Sequence, residues 1–256
     1  MTDRLQDRAI IVFGAATGIG AATVRRLAQE GARVCIADIN IAGAEALAEE
    51  LAACGYPVFA IPVDVTDEAQ VNLAVRVAVE RFGRLDGAHL NAADLKIIMQ
   101  DDDALALDLV VFDRTIAVNL RGQLLCTRAV LPHLLASGEG AIVYTSSGAA
   151  FSAEPTRPSY AMAKSGLNAL MRHAASRWGR EGLTANCVAP GFTITAEMRA
   201  GGQLPRAFEE MTLARTPARR LGRSEDIAAV VAMLLSMDGR WINGQVYDVN
   251  GGSLMR

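Results

Sequence analysis

The stretch Phe13-Gly14-Ala15-Ala16-Thr17-Gly18-Ile19-Gly20 decides the reading of this chain. An apolar run of strand length, Ala9–Phe13, precedes it, and a helical pattern, Gly18–Gln29, continues from it. Glycine tolerates positive φ, lets backbone come close to a bound group and uncovers the N–H groups at a helix start. A strand, a G-x-x-x-G-x-G turn and a helix in that order read as a cradle for a pyrophosphate, with Gly14, Thr17, Gly18, Ile19 and Gly20 expected to line it and a purely structural turn as the alternative.

Outward from this unit, the same alternation runs to the end of the chain. Strands are expected at Arg33–Ala37, Val58–Val63, Gly87–Leu90, Ala141–Thr145, Thr184–Val188 and Gln245–Val249. Helical patterns lie between them at Ala42–Cys54, Asp67–Phe82, Asp108–Leu135, Tyr160–Trp178 and Ser224–Leu235. Thr66 ahead of Asp67-Glu68, and Ser224 ahead of Glu225-Asp226, read as side-chain caps followed by acids on the positive helix end. Several strands are nearly continuous in Val, Ile, Leu and Ala, as parallel strands covered on both faces are. The expectation is α/β: a single doubly wound, Rossmann-like domain over 1–256, with a seven-stranded parallel sheet and helices on both faces. Thr193–Gly222 shows no clear strand and contains Gly201-Gly202, Pro205 and Pro217. Ligands in open α/β sheets sit beyond the carboxyl ends of the strands, so 193–222, following the sixth strand, reads as a lid insertion over a substrate.

The 256 residues carry 25 Lys+Arg against 28 Asp+Glu, a net charge of −3, without a basic run. No nucleic-acid or anionic-membrane partner is expected from such a balance. The polar start Met1–Arg8 does not read as a secretory signal, and no apolar run approaches the roughly 20 residues that span a bilayer. Cys35, Cys54, Cys126 and Cys187 lie far apart without a CxxC pair, which predicts reduced thiols and a cytoplasmic location. His89, His133 and His173 have no ligand spacing, so no metal is expected. Asp101-Asp102-Asp103 reads as a solvated loop, and Arg219, Arg220 and Arg223 as surface charge.

The second strand ends at Asp38, eighteen residues past Gly20. An acid there can accept hydrogen bonds from both hydroxyls of an adenosine ribose and repel a 2′-phosphate, which favours NAD over NADP, with a strand-end turn residue as the alternative reading. Asp64-Val65, after the third strand, is a further candidate for the adenine pocket, with an ordinary turn acid as the alternative. The chemistry is expected from Tyr160 and Lys164, four apart and so on one helix face. A phenol titrating near 10 is a poor base at neutral pH, and a neighbouring ammonium favours its ionised form. Ser147 follows the fifth strand, thirteen residues before Tyr160, where its hydroxyl can reach a substrate oxygen. The segment 148–158 passes close to that centre and shapes substrate preference, with Glu154 and Arg157 as candidate selectivity groups.

In these features the chain resembles the short-chain dehydrogenase/reductases over nearly its whole length. The resemblance runs through the glycine loop, Asp38, Asp64-Val65, Asn91-Ala92-Ala93, Asn119, Ser147, Tyr160/Lys164, Pro190-Gly191 and the closing Ile242-Asn243-Gly244-Gln245 to Gly252 segment. It implies Tyr160 as general acid/base, Ser147 as the group polarising the carbonyl or alcohol, and Lys164 as tuner of the tyrosine and holder of the nicotinamide ribose. Asn119 is similar to the family's anchor for a proton-relay water, and Asn91 to its support of the adenosine side. Pro190, Gly191, Thr193 and Thr195 resemble the segment that meets the nicotinamide carboxamide and phosphates. Two positions depart from the family's pattern: Phe13 stands in place of threonine, and Ala93 in place of glycine.

The expected function is hydride transfer between NAD(H) and a secondary alcohol or ketone of a small or medium-sized organic substrate. The alternatives are an NADPH-dependent 3-oxoacyl thioester reductase and a non-catalytic cofactor-sensing protein on the same scaffold. The resemblance further implies a homotetramer or homodimer, pairing the helices at Asp108–Leu135 and Tyr160–Trp178, with Trp241–Met255 at a second interface.

Overall fold

The computed structural model describes residues 3–200 and 205–256, so Gly201-Gly202 lie outside the described residues. The chain begins with β1 (Ala9–Phe13), α1 (Gly18–Gln29), β2 (Arg33–Asp38), α2 (Ile41–Ala53), β3 (Val58–Pro62) and α3 (Glu68–Phe82). It continues with β4 (Gly87–Leu90), α4 (Leu95–Ile98), α5 (Leu109–Ile116), α6 (Gly122–Ala136), β5 (Ala141–Thr145) and α7 (Pro158–Trp178). The last part holds β6 (Thr184–Pro190), β7 (Thr193–Ile194), α8 (Ala196–Ala200), α9 (Arg206–Ala214), β8 (Gly222–Arg223), α10 (Ser224–Leu235) and β9 (Val246–Val249).

Seven strands form one parallel sheet in the order β3-β2-β1-β4-β5-β6-β9, as expected. Every residue of β1, β4 and β5 is buried, which accounts for their unbroken apolar sequences. Alternate residues feed two cores. Ile11 and Phe13 pack with Val71 and Val75 of α3, Val130 and Leu134 of α6, and Leu167 and Met171 of α7. Ile10 and Val12 pack on the other face with Val24 and Leu27 of α1, Leu47 of α2, and Ile227 and Val231 of α10. Each fully buried side chain of this kind contributes about 1.5–3 kcal/mol. The strand order reverses between β1 and β4, which opens a crevice beyond their carboxyl ends.

Four local readings are corrected. The helix expected over Asp108–Leu135 is interrupted by a π-turn at Ala117–Arg121. There the Asn119 amide donates to the Thr115 carbonyl at 3.2 Å, and the wider turn holds Asn119 fully buried. The cap of α3 is Asp67 rather than Thr66, its Oδ1 accepting from the N–H of Ala69 and Gln70. The cap position of α10 is Arg223, whose N–H is met by Asp226, while the Ser224 hydroxyl is buried without a protein partner. Finally, Thr193–Gly222 is not free of strand: β7 pairs in parallel with β8 at its two ends.

Candidate active site

The glycine turn has the conformation its sequence requires. Gly14 and Gly18 adopt φ of +76° and +54°. A Cβ added to Gly14 would lie 2.5 Å from the Ala92 backbone, and one on Gly20 1.9 Å from the Gly14 carbonyl. Only hydrogen fits at either position, so the loop stays low at the start of α1. Thr17 is the exposed N-cap of α1 and makes no side-chain cap, while Ile19 packs against the core and Gly20 is buried. Phe13, the first departure from the family pattern, is entirely buried, its ring replacing a hydrogen bond with packing.

Asp38 ends β2 beside this loop. Its Oδ2 accepts from the Ala16 N–H and its Oδ1 from the Asn40 N–H, each at 2.8 Å. The carboxylate thereby ties the end of β2 to the glycine turn. Asp64 instead serves its own turn, accepting from the N–H and hydroxyl of Thr66, and Val65 is buried against Gly122. The structure thus supports the turn reading of Asp64 more directly than an adenine contact. Asn91 donates to the Gly14 carbonyl at 2.8 Å and accepts from the Thr145 hydroxyl at 2.9 Å.

That last bond fixes a further group which the sequence did not single out. The Thr145 hydroxyl has one proton and gives it to Asn91, so His89 Nε2, 2.9 Å from the same oxygen, must be the donor there. His89 is therefore the neutral Nε2–H tautomer; burial pushes its pKa down to about 3. The chain His89–Thr145–Asn91–Gly14 ties the phosphate loop to the end of β5.

Thr145 also meets the other half of the cleft, for its carbonyl accepts from Lys164 Nζ at 2.8 Å. Lys164 is 1% exposed, and its Nζ lies 5.5 Å from the centre of the Tyr160 ring. Ser147 follows on the same strand end, and its hydroxyl sits beside the phenol. Asn119 stands on the π-turn with a buried Oδ1 that has no protein partner. The expectation of a depressed phenol is not met. Burial raises the Tyr160 pKa above its usual 10, outweighing the lowering influences of Ser147 and Arg157, while Glu154 raises it further. Burial also pushes Lys164 down to about 8. Glu154 and Arg157 form an ion pair with each other.

Beyond β6, the Gly191 N–H donates to the Val249 carbonyl, and a Cβ there would come within 2.7 Å of Asn250. Pro190 ends β6 beside Val249, and the Thr193 hydroxyl donates to the Gly191 carbonyl. The Thr195 hydroxyl accepts from the Met198 N–H. Glu197 reaches across from α8, and its Oε1 accepts from the Gly18 N–H at 3.3 Å. Two acids thus escaped the sequence reading. Glu197 carries no motif, and Asp101, placed in a solvated loop, is 4% exposed and bonded to Ser159 and Tyr160. Asp102 and Asp103 are exposed, as expected. Among the described residues, no cluster of three or more His, Cys, Asp or Glu could hold a metal ion. Nor is any helix long and apolar enough to cross a membrane.

A glycine turn at the strand-order reversal, an acid bonded to it and a tyrosine–lysine pair across the same crevice fit a nicotinamide dinucleotide. The class is that of nicotinamide-dependent oxidoreductases on a doubly wound sheet. A family model described as enoyl-(acyl carrier protein) reductase matches residues 14–253. Levodione reductase of Leifsonia aquatica is 34% identical over 98% of this chain and 96% of its own length. A crystal structure of levodione reductase superposes with a TM-score of 0.88 at 35% identity, covering 96% of this chain and 97% of that one. Cis-4-hydroxycyclohexanecarboxylate dehydrogenase of Sinomonas cyclohexanicum is 37% identical over 98% of both chains. A 3-oxoacyl-(acyl-carrier-protein) reductase of Staphylococcus aureus (strain Mu50) is 34% identical over 97% of this chain and 98% of its own. The chain belongs to the short-chain dehydrogenase/reductase family.

Proposed function

We propose that this enzyme moves hydride between NAD(H) and a secondary alcohol or ketone of a small or medium-sized organic substrate. The observation that carries the reading is the meeting of Ser147, Tyr160 and Lys164 at the carboxyl end of β5, across from the glycine cradle. The dinucleotide, when bound, supplies or accepts the hydride; the protein's work is positioning and proton management. The cradle residues Gly14, Thr17, Gly18, Ile19 and Gly20 take the pyrophosphate. Pro190, Gly191, Thr193 and Thr195 border the nicotinamide end, and Val65, with Asp64 in a secondary role, borders the adenine.

Ser147 holds the substrate oxygen while Tyr160 gives it a proton during reduction and takes one back during oxidation. Burial keeps the phenol protonated at neutral pH, which is the form a reduction needs. Lys164 is charged below about pH 8, stabilises the phenolate left behind and holds the nicotinamide ribose. Asn119 offers its unpartnered Oδ1 to a relay water. NAD is favoured because Asp38, fixed by two backbone amides, can bond the ribose hydroxyls and repels a 2′-phosphate. The names of two relatives, a reductase and a dehydrogenase of a hydroxy acid, agree with alcohol–ketone chemistry. The NADPH-dependent 3-oxoacyl thioester reductase reading has a relative of that name in its favour and Asp38 against it.

In the same reading the segment 193–222 is the lid, the location is cytoplasmic, and the molecule is a homotetramer or homodimer. The test is turnover of a panel of hydroxy and keto compounds with NADH and NADPH, together with Tyr160→Phe. Faster reduction with NADH, and loss of at least about 100-fold in kcat in the variant with cofactor affinity kept, are expected. Preference for NADPH would overturn the cofactor assignment, and a near-native rate in Tyr160→Phe would overturn the mechanism.

A further inference from the structure

We propose that Asp101 is a positioning residue for Tyr160, acting as the N-terminal cap of α7 from a loop 59 residues earlier in the chain. The start of α7 has no cap of its own. Arg157, at the N-cap position, adopts φ of +66° and makes no side-chain cap, and Pro158 has no N–H to offer. Asp101 supplies what is missing. Its Oδ1 accepts from the Ser159 hydroxyl at 2.8 Å and from the Ser159 N–H at 3.4 Å; its Oδ2 accepts from the Tyr160 N–H at 2.9 Å. Its carbonyl accepts from the Arg157 N–H at 3.0 Å. One residue thus fixes the backbone on both sides of Pro158 and at Tyr160 itself.

The arrangement is more than a surface cap. Asp101 is 4% exposed and, among the described residues, forms no ion pair, so its charge is met only by these donors and the positive end of a 21-residue helix. A buried carboxylate without a cation is costly unless its hydrogen bonds are made, which makes the contact all-or-none. Lys164 is anchored independently, one turn further on, to Thr145 of β5. The first turn of α7 therefore sets where Tyr160 stands relative to Lys164, and Asp101 closes that turn. Without it the turn frays, and Tyr160 moves while Lys164 and Ser147 stay in place. A displacement of about 1 Å can cost about 100-fold in rate.

The inference rests on Tyr160 being the proton donor, and the experiment separates the two. Asp101→Ala and Asp101→Asn are compared with the native enzyme in kcat, cofactor dissociation constant, melting temperature and the pH profile of alcohol oxidation. The groups facing the phenol in that profile are Lys164, Ser147, Arg157 and Glu154, all unchanged in the variants. Asp101→Ala is expected to lower kcat about 10- to 100-fold with cofactor affinity within about threefold. Its half-maximal pH for oxidation should move upward, because a phenol drawn away from the Ser147 hydroxyl and Arg157 loses the two groups that favour its ionised form. Asp101→Asn, which keeps one acceptor oxygen for Ser159, should recover part of kcat and remains informative if the alanine variant folds poorly. A lower melting temperature with native kcat and an unmoved pH profile in the folded enzyme would reduce Asp101 to a stability element and overturn the proposal. If Tyr160→Phe keeps its rate, the mechanism itself has failed. The Asp101 contact is then read from the ultraviolet titration of Tyr160, taken as native minus Tyr160→Phe, which Asp101→Ala must shift; no shift overturns it.

Discussion

Glu197 is the residue whose charge opposes the chemistry around it. Its carboxylate accepts from the first N–H of α1, where the positive end of the helix would meet a pyrophosphate. Partial burial raises its pKa, but hydrogen bonds from its own backbone, Thr195 and Gly18, with Arg25 nearby, more than offset this and hold it below the usual carboxylate range. It is therefore ionised at neutral pH, and a dinucleotide taking the proposed cradle would have to displace it. Glu197→Gln should bind NADH several-fold more tightly in a fluorescence titration, and the difference should shrink in acid as the native carboxyl protonates. Weaker or unchanged binding at neutral pH would show that Glu197 moves aside at no cost. No motif marks this glutamate in the sequence, because its position depends on how the chain after β7 folds back over α1.

At the scale of the element, α7 carries a buried ammonium at a thermodynamic cost. Burial pushes the Lys164 pKa from 10.5 to about 8, so the native state holds its proton less tightly than the unfolded chain does. Between those values the unfolded chain binds more protons, and stability rises with pH there; below about 8 the penalty is present in full, of order 3 kcal/mol. Lys164→Met should therefore melt several degrees higher than the native protein at pH 7 while losing turnover, with the gain fading toward pH 10. Equal melting curves at pH 7 would mean that the bond to Thr145 offsets the desolvation. The positions of such elements were largely readable in advance. Strands such as Ala9–Phe13 and Ala141–Thr145 are covered on both faces, and their composition says so. What could not be read were the bonds that join distant segments. The π-turn at Asn119 borrows a carbonyl within a pattern that looks like continuous helix. Asp101 sits in an acidic triplet that reads as solvated until the start of α7 is folded against it.

The whole molecule presents apolar side chains that one copy leaves uncovered. Leu109 and Val110 on α5, Leu124 on α6 and Met162 on α7 are exposed, and Trp241 is 100% exposed. These lie on the two helical stretches and the C-terminal segment expected to pair between copies. Sedimentation should find a dimer or tetramer, and Trp241→Glu should shift it toward smaller species; a stable monomer of the native protein would exclude the assembly. The sheet order followed from strand–helix alternation, whereas the small pair β7–β8 did not, since two residues leave no periodic signal. That pair has its own consequence. Because Thr193 and Ile194 pair alongside Gly222 and Arg223 in a small sheet of their own, the chain between β6 and α10 leaves and returns at a single closed base. A segment closed at its foot can vary in length and composition between those two strands while the layers beneath keep their register.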